Sequence, residues 1–237
     1  DNNYSKINTI NVYSSADMVN WTGHGAIRVA GSNGAAKWAS NSWAPAACHK
    51  TINGKEKFFL YFADNGSGIG VLEADSPTGP WRDPIGKQII SRETPGCSGS
   101  EIGWLFDPAV LVDDDGTGYL YFGGIGNTAG KPDDFIKNPK CGRVVKLADD
   151  MVSLAGDPVT IDAPYMFEDS GINKIGDKYY YSYCTNWTNV SGRDKNIPAA
   201  NIAVMESDNP MTGFKFVGCV LKNPGTYFGA SGNNHHC

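Results

Sequence analysis

The chain has 237 residues, 41% hydrophobic and 19% charged, with 29 glycines, 11 tyrosines and a net charge of −5. That is enough for one large all-β domain with a substantial core, and the balance is that of a globular, turn-rich chain, not a disordered one. The negative charge and the lack of a basic run exclude nucleic acid as an expected partner, and no apolar stretch is long enough to span a bilayer.

Taken in chain order, the predicted elements are short strands set between turns. The chain opens at INTINVYSS (7–15), which reads as the later half of a β unit and continues as NVYSSADMVNWTGHG (11–25). SWAPA (42–46) leads into a strand, the turn INGKEK (52–57) and a second strand, FFLYFA (58–63). GVLEADSPTGPWRDPIG (70–86) follows, then FDPAVLVDDDGTGYLYFGG (106–124) and VVKLADDMVSLAGDP (144–158). FEDSGINKIGDKYYYSY (167–183), NIAVME (201–206) and AVMESDNPMTGFKFVG (203–218) complete the run, and the chain ends at GNNHHC. Tyr, Phe, Val and Ile bounded by Gly, Asn, Asp and Pro are strand signals, and INGKEK, DDDGTG and IGDK are tight β connections.

These elements repeat. Four segments share one plan: a strand, a small acidic turn, then Trp, Leu or Phe placed to close over the core, and Gly or Asp. WAP, DPA and EDS each precede a strand, a hairpin turn and another strand, with successive landmarks roughly sixty residues apart. Several antiparallel strands at a constant period predict a β-propeller, with blades longer than the roughly forty-residue WD repeat. The predicted blades are 1–41, 42–104, 105–165 and 166–232, with a further one starting at 233–237. That makes one domain of about three and a half blades, too few to close a ring. The expectation is a fragment, or a partner chain that supplies the remaining segments.

In a propeller the innermost strands line the central channel, so Trp43, Asp107 and Glu168 are expected to converge there. Two carboxylates and an aromatic in one funnel suit glycosidic cleavage, in which a protonated carboxylic acid must serve the leaving oxygen. Burial and a neighbouring carboxylate are what keep such an acid protonated near neutral pH. Other carboxylates read more plainly: Asp113, Asp114 and Asp115 before Gly116 lack the alternation of a calcium loop and are expected to form a hairpin turn. His24, His49 and His236 suggest no role. None of the six cysteines lies in a CxxC pair, which argues against zinc, and Cys97 with Cys141, both in Gly/Pro-rich segments, is the first disulfide to test. The sequons at Asn3, Asn20, Asn65, Asn186 and Asn189 fit a surface open to glycosylation but say little about compartment, since such triplets are common by chance; a secreted or extracellular protein is the expectation.

FDPAVLVDDDGTGYLYFGG, FEDSGINKIGDKYYYSY, SSADMVNWTGHG, SWAPA and GNNHH together resemble glycoside hydrolase family 43, the five-bladed propeller pentosidases. The resemblance runs through nearly the whole chain. It implies that Glu168 is the general acid and Asp107 the carboxylate that tunes and orients it. It implies that Trp43 borders the sugar pocket and that His235 sits near the channel axis. Many members hold a calcium ion there, so His235 is read either as part of a calcium site or as a structural histidine. No organic cofactor is implied. Apart from the resemblance, Asn186 and Trp187 lie just past the Glu168 strand, in a loop that could touch substrate. The family's general base is an aspartate of the first inner strand; no residue here matches it, and it is expected to precede Asp1, as a fifth blade is expected after Cys237.

The function so implied is inverting, exo-acting removal of terminal pentose from hemicellulose of the arabinoxylan or xylan type. An α-L-arabinofuranosyl unit is favoured, a β-xylosyl unit comes a close second, and an endo-arabinanase is the alternative within the family. The rival from another class is a non-catalytic carbohydrate-binding propeller, which would keep Trp43 and tolerate the missing base. A protein-binding scaffold predicts no convergent carboxylates.

Overall fold

The computed structural model describes residues 3–188 and 190–223, and these form four antiparallel sheets with one short helix, α1 (Asp133–Lys137). The first sheet pairs β1 (Thr9–Ser14) with β2 (Thr22–Arg28). The second has the order β3 (Trp43–Ile52), β4 (Lys55–Ala63), β5 (Ile69–Ala74). The third runs β6 (Ala109–Val112), β7 (Gly118–Phe122), β8 (Gly142–Lys146), β9 (Val159–Ile161), and the fourth β10 (Met166–Ile175), β11 (Lys178–Thr185), β12 (Ile202–Ser207), β13 (Lys215–Leu221). Within each sheet every strand pairs with the next in sequence, as the repeat requires, and β6 lies between β3 and β10 so that the leading strands stand side by side. This is a partial β-propeller.

The core explains why the strands read as continuous apolar runs, because a blade is covered on both faces. In β4, Phe59 and Tyr61 enter one cluster with the third sheet, whereas Leu60 and Phe62 enter another with Val29, Ala30, Ala36 and Ala39 beside the first sheet. Successive side chains of a strand point to opposite faces, so FFLYF buries itself in two directions at once.

The acidic turns are one device used repeatedly. Asp17 Oδ1 accepts from the backbone N–H groups of Val19 and Asn20, Asp150 Oδ1 from Val152 and Ser153, and Asn209 Oδ1 from Met211 and Thr212. Such side chains close a turn locally by replacing a backbone acceptor. Two of these turns also receive a latch from the preceding blade: buried Tyr61 donates its hydroxyl to Met151 O at 2.6 Å, and Tyr121 to Pro210 O at 2.7 Å. Asp113 is likewise absorbed by structure, pairing with Lys174 and Tyr179 beside its hairpin.

The disulfide expected between Cys97 and Cys141 is not formed. Both are free, buried thiols, and Cys48 and Cys219 are free and half-buried. Loop composition reports where a chain turns, not where its side chains point; Cys97 and Cys141 both join the apolar core between sheets. Cys237, the Asn189 sequon and the segment 233–237 lie outside the described residues.

Candidate active site

The three landmarks share a backbone feature that no composition reveals. Ala44, Asp107 and Asp169 all adopt the left-handed conformation, with φ of 42°, 48° and 64°. This region is unfavourable for most residues and least so for Asn and Asp. It places Asp107 in register with Asp169, and Glu168 in register with Phe106 and Trp43, one residue away from the alignment read in the sequence.

The turn at Asp169 is built into an irregular strand. Along β10 the register against β11 shifts twice, between Met166 and Glu168 and again between Glu168 and Gly171, so the ladder is interrupted around the carboxylate pair. Bulges of this kind re-aim side chains at the ends of strands. Asp107 Oδ2 accepts a hydrogen bond from the Asp169 backbone N–H at 3.0 Å, which ties the head of β6 to the head of β10 across 62 residues of sequence. Gly124 lets the two approach: a methyl group there would lie 2.3 Å from the Phe106 ring and 3.0 Å from Phe167 O.

Glu168 is half-buried at this junction, and its carboxyl is pushed up to about 8. Burial is the main cause, and the neighbouring negative charges of Asp107 and then Asp169 add to it. Desolvation and like charge both penalise the carboxylate form, so the group keeps its proton at neutral pH. Asp107 and Asp169 are themselves buried.

An aromatic row flanks the carboxylates. Trp104 meets Phe106 edge-on at 5.1 Å and Phe167 at 6.0 Å, and Phe167 meets Trp187 at 6.3 Å. Phe106 and Phe167 immediately precede Asp107 and Glu168. The sequence reading named Trp187 but missed Trp104, Phe106, Phe167 and Asp169. The signal it lacked was contact: GWLFDP gives no sign that its tryptophan turns back onto the FED segment.

The remaining expected site residues divide. Trp43 heads β3, but its indole Nε1 donates to Tyr4 O at 2.9 Å and its ring packs edge-on to Tyr4 at 6.1 Å. Asn186 is buried; its N–H donates to Tyr165 O at 2.6 Å, its Oδ1 accepts from Thr188 N at 2.8 Å, and its Nδ2 has no acceptor among the described residues. His235 lies outside the described residues, and among those described no group of three or more His, Cys, Asp or Glu side chains is placed to hold a metal ion.

Comparison with known proteins agrees with this architecture. The sequence model of Glycosyl hydrolases family 43 matches residues 2–210. Arabinoxylan arabinofuranohydrolase of Paenibacillus polymyxa is 58% identical over 242 residues, covering 100% of this chain and 37% of that protein. The arabinoxylan arabinofuranohydrolase of Bacillus subtilis strain 168 is 56% identical over 243 residues, covering 100% and 47%. The chain thus spans less than half the length of these two curated relatives. Among solved structures, a family 43 arabinoxylan arabinofuranohydrolase from Bacillus subtilis in complex with cellotetraose superposes with a TM-score of 0.93 at 55% identity, over 98% of this chain and 48% of that one. An α-L-arabinofuranosidase from Clostridium thermocellum gives 0.72 at 39% identity, over 92% and 64%. Repeat, sheet order and matched residues lead to one conclusion: the chain belongs to glycosyl hydrolases family 43.

Proposed function

We propose that the whole protein is an exo-acting, inverting α-L-arabinofuranosidase that removes terminal arabinofuranosyl units from arabinoxylan. The observation that carries this reading is a half-buried Glu168 holding its proton at neutral pH beside Asp107, at the head of an inner strand and next to an aromatic row. The names of the two relatives at 56–58% identity support the substrate.

In this reading Glu168 donates its proton to the glycosidic oxygen as the bond to the sugar breaks, and the bonding electron pair leaves with that oxygen. Water attacks the opposite face of the ring and gives its proton to a second carboxylate, which is not assigned to a residue of this chain. In inverting enzymes the two carboxyls stand roughly 6.5–9.5 Å apart to admit that water. Asp107 has two tasks: its charge keeps Glu168 protonated before the transfer and favours reprotonation after it. Trp104, Phe167 and Trp187 offer apolar edges and faces to the sugar. Calcium near His235 and secretion remain expectations attached to this proposal, and no step runs through the ion.

The test is Glu168→Gln in the full-length protein. General-acid assistance is worth about 10²–10⁴-fold, and that loss is expected on arabinoxylan, whose leaving oxygen needs a proton. Nitrophenyl arabinofuranoside, with a good leaving group, should lose far less. Wild-type protein should release a product of inverted configuration, seen by NMR at early times. Faster release from nitrophenyl xyloside would favour the β-xylosidase reading. Undiminished arabinoxylan hydrolysis by the variant would remove Glu168 from the role, and sugar binding without hydrolysis by the wild type would favour the binding propeller.

A further inference from the structure

Arg92 lies in the long connection between the second and third sheets, half-buried, and every hydrogen bond found for it ends on a backbone carbonyl. Its Nη1 donates to Ile102 O at 2.6 Å and Cys97 O at 3.4 Å; its Nη2 donates to Gly103 O at 2.7 Å and Gly66 O at 3.0 Å. A charged group without a carboxylate among these partners is spent on holding loops together.

The loops it holds meet at Trp104. Gly103 is the preceding residue, and Gly66 lies flush against the indole, where a methyl group would come within 2.7 Å of Cδ1 and 3.0 Å of Cγ. Gly66 O also accepts from Leu105 N at 2.9 Å, so the guanidinium and the backbone grip the same carbonyl from both sides of Trp104. The connection has a second anchor one residue earlier at two of these points, because Arg143 donates to Gly96 O at 2.9 Å and Glu101 O at 3.4 Å. Loosening Arg92 therefore releases Gly103 O and Gly66 O, next to Trp104, while Arg143 still holds Gly96 and Glu101.

From this geometry we propose that Arg92 is a positioning residue, which fixes the Trp104 indole against Phe106 and Phe167 as one wall of the sugar site. The proposal rests on the reading of that cleft given above. Arg suits the task because its planar fork presents several N–H groups at fixed angles, whereas a lysine ammonium carries three N–H donors on one atom, too few for the four carbonyls. Misplacing a group by about 1 Å can cost as much as ~10²-fold, and here the cost falls on holding the sugar, not on proton transfer.

The experiment uses full-length protein carrying fluorotryptophan, with the Trp104 fluorine resonance assigned from Trp104→Leu. In Arg92→Lys that resonance should move or broaden, KM for arabinoxylan should rise about tenfold and kcat should change little. The alkaline limb of the pH profile should stay in place, since Glu168 is untouched. In a Trp104→Leu background Arg92→Lys should add almost nothing. An unmoved resonance with unchanged KM, or an equal rise in KM in the Trp104→Leu background, overturns the proposal. Should Arg92→Lys fail to fold, Arg92→Gln, which keeps side-chain N–H donors but too few for the four carbonyls, takes its place: the same resonance and KM changes support the clamp, and their absence refutes it. If the wild type hydrolyses no pentoside, the functional reading falls, while the fluorine response still decides whether Arg92 positions Trp104.

Discussion

Replacing Asp107 with Asn tests the electrostatic core of the proposed mechanism. The substitution keeps size and shape, its Oδ1 can still accept from Asp169 N–H, and Asn tolerates the left-handed backbone at 107. What it removes is one negative charge beside Glu168. At an effective dielectric of about 20, like charges separated by roughly 5–10 Å repel by about 1.7–3.3 kcal/mol, equivalent to about 1–2.5 pH units. Burial, the larger cause of the raised Glu168 value, is unchanged, and so is Asp169. Activity needs the protonated acid, so kcat/KM falls as pH rises through about 8 in the wild type. In Asp107→Asn that limb should fall earlier, by about one to two pH units. The assay is the pH profile of kcat/KM for arabinose release from arabinoxylan by the full-length protein. A limb that stays in place or moves upward would refute the reasoning. A lowered plateau with an unmoved limb would mean that Asp107 serves the substrate and not the acid.

Other consequences are more direct. Because Glu168 holds its proton from 4.5 up to about 8 in the folded protein, folding is opposed over that window: the unfolded chain ionises and the folded one cannot follow. Glu168→Gln should therefore raise Tm at pH 8, by a stabilisation of about 1–3 kcal/mol, with no gain below pH 4.5; equal Tm values at pH 8 would contradict the burial. Tyr61→Phe and Tyr121→Phe each break one latch between blades and should cost about 1–2 kcal/mol apiece in urea unfolding, nearly additively because the latches are separate. The thiols of Cys97 and Cys141, which burial pushes up to about 11 and about 12, should resist thiol reagents until denaturation. Rapid labelling of the native protein at either position would show that the packing around it is wrong.

Much of the site could be read before any coordinates. Glu168 and Asp107 stand out because both lie at landmarks of one repeat, and that argument needs only spacing. Its register, however, was off by one residue. Side-chain identity suggested that Glu168 repeats Asp107, whereas the positive φ at Ala44, Asp107 and Asp169 makes Asp169 the repeat of Asp107. A φ angle and a bulge belong to the backbone in its tertiary setting, and an alanine in the left-handed region announces neither. Trp43 shows a different limit: the repeat marks it as the head of a strand, and only the structure shows that its indole donates to Tyr4 O and packs against the Tyr4 ring. The expected disulfide failed for a related reason, because pairing depends on the meeting of two side-chain directions.

The sequence by itself determined the strand type, the repeat and the acidic turns. Those features depend on near-neighbour chemistry: alternating burial along a strand, and Asp or Asn closing a turn on its own backbone. Only the tertiary structure decided which residues face Glu168, that its proton is retained, and that Arg92, 76 residues earlier in the chain, grips the backbone around Trp104. These are properties of distance and desolvation between segments far apart in sequence. Residue order can propose such meetings, but only the packed fold sets their separation and excludes water from between them.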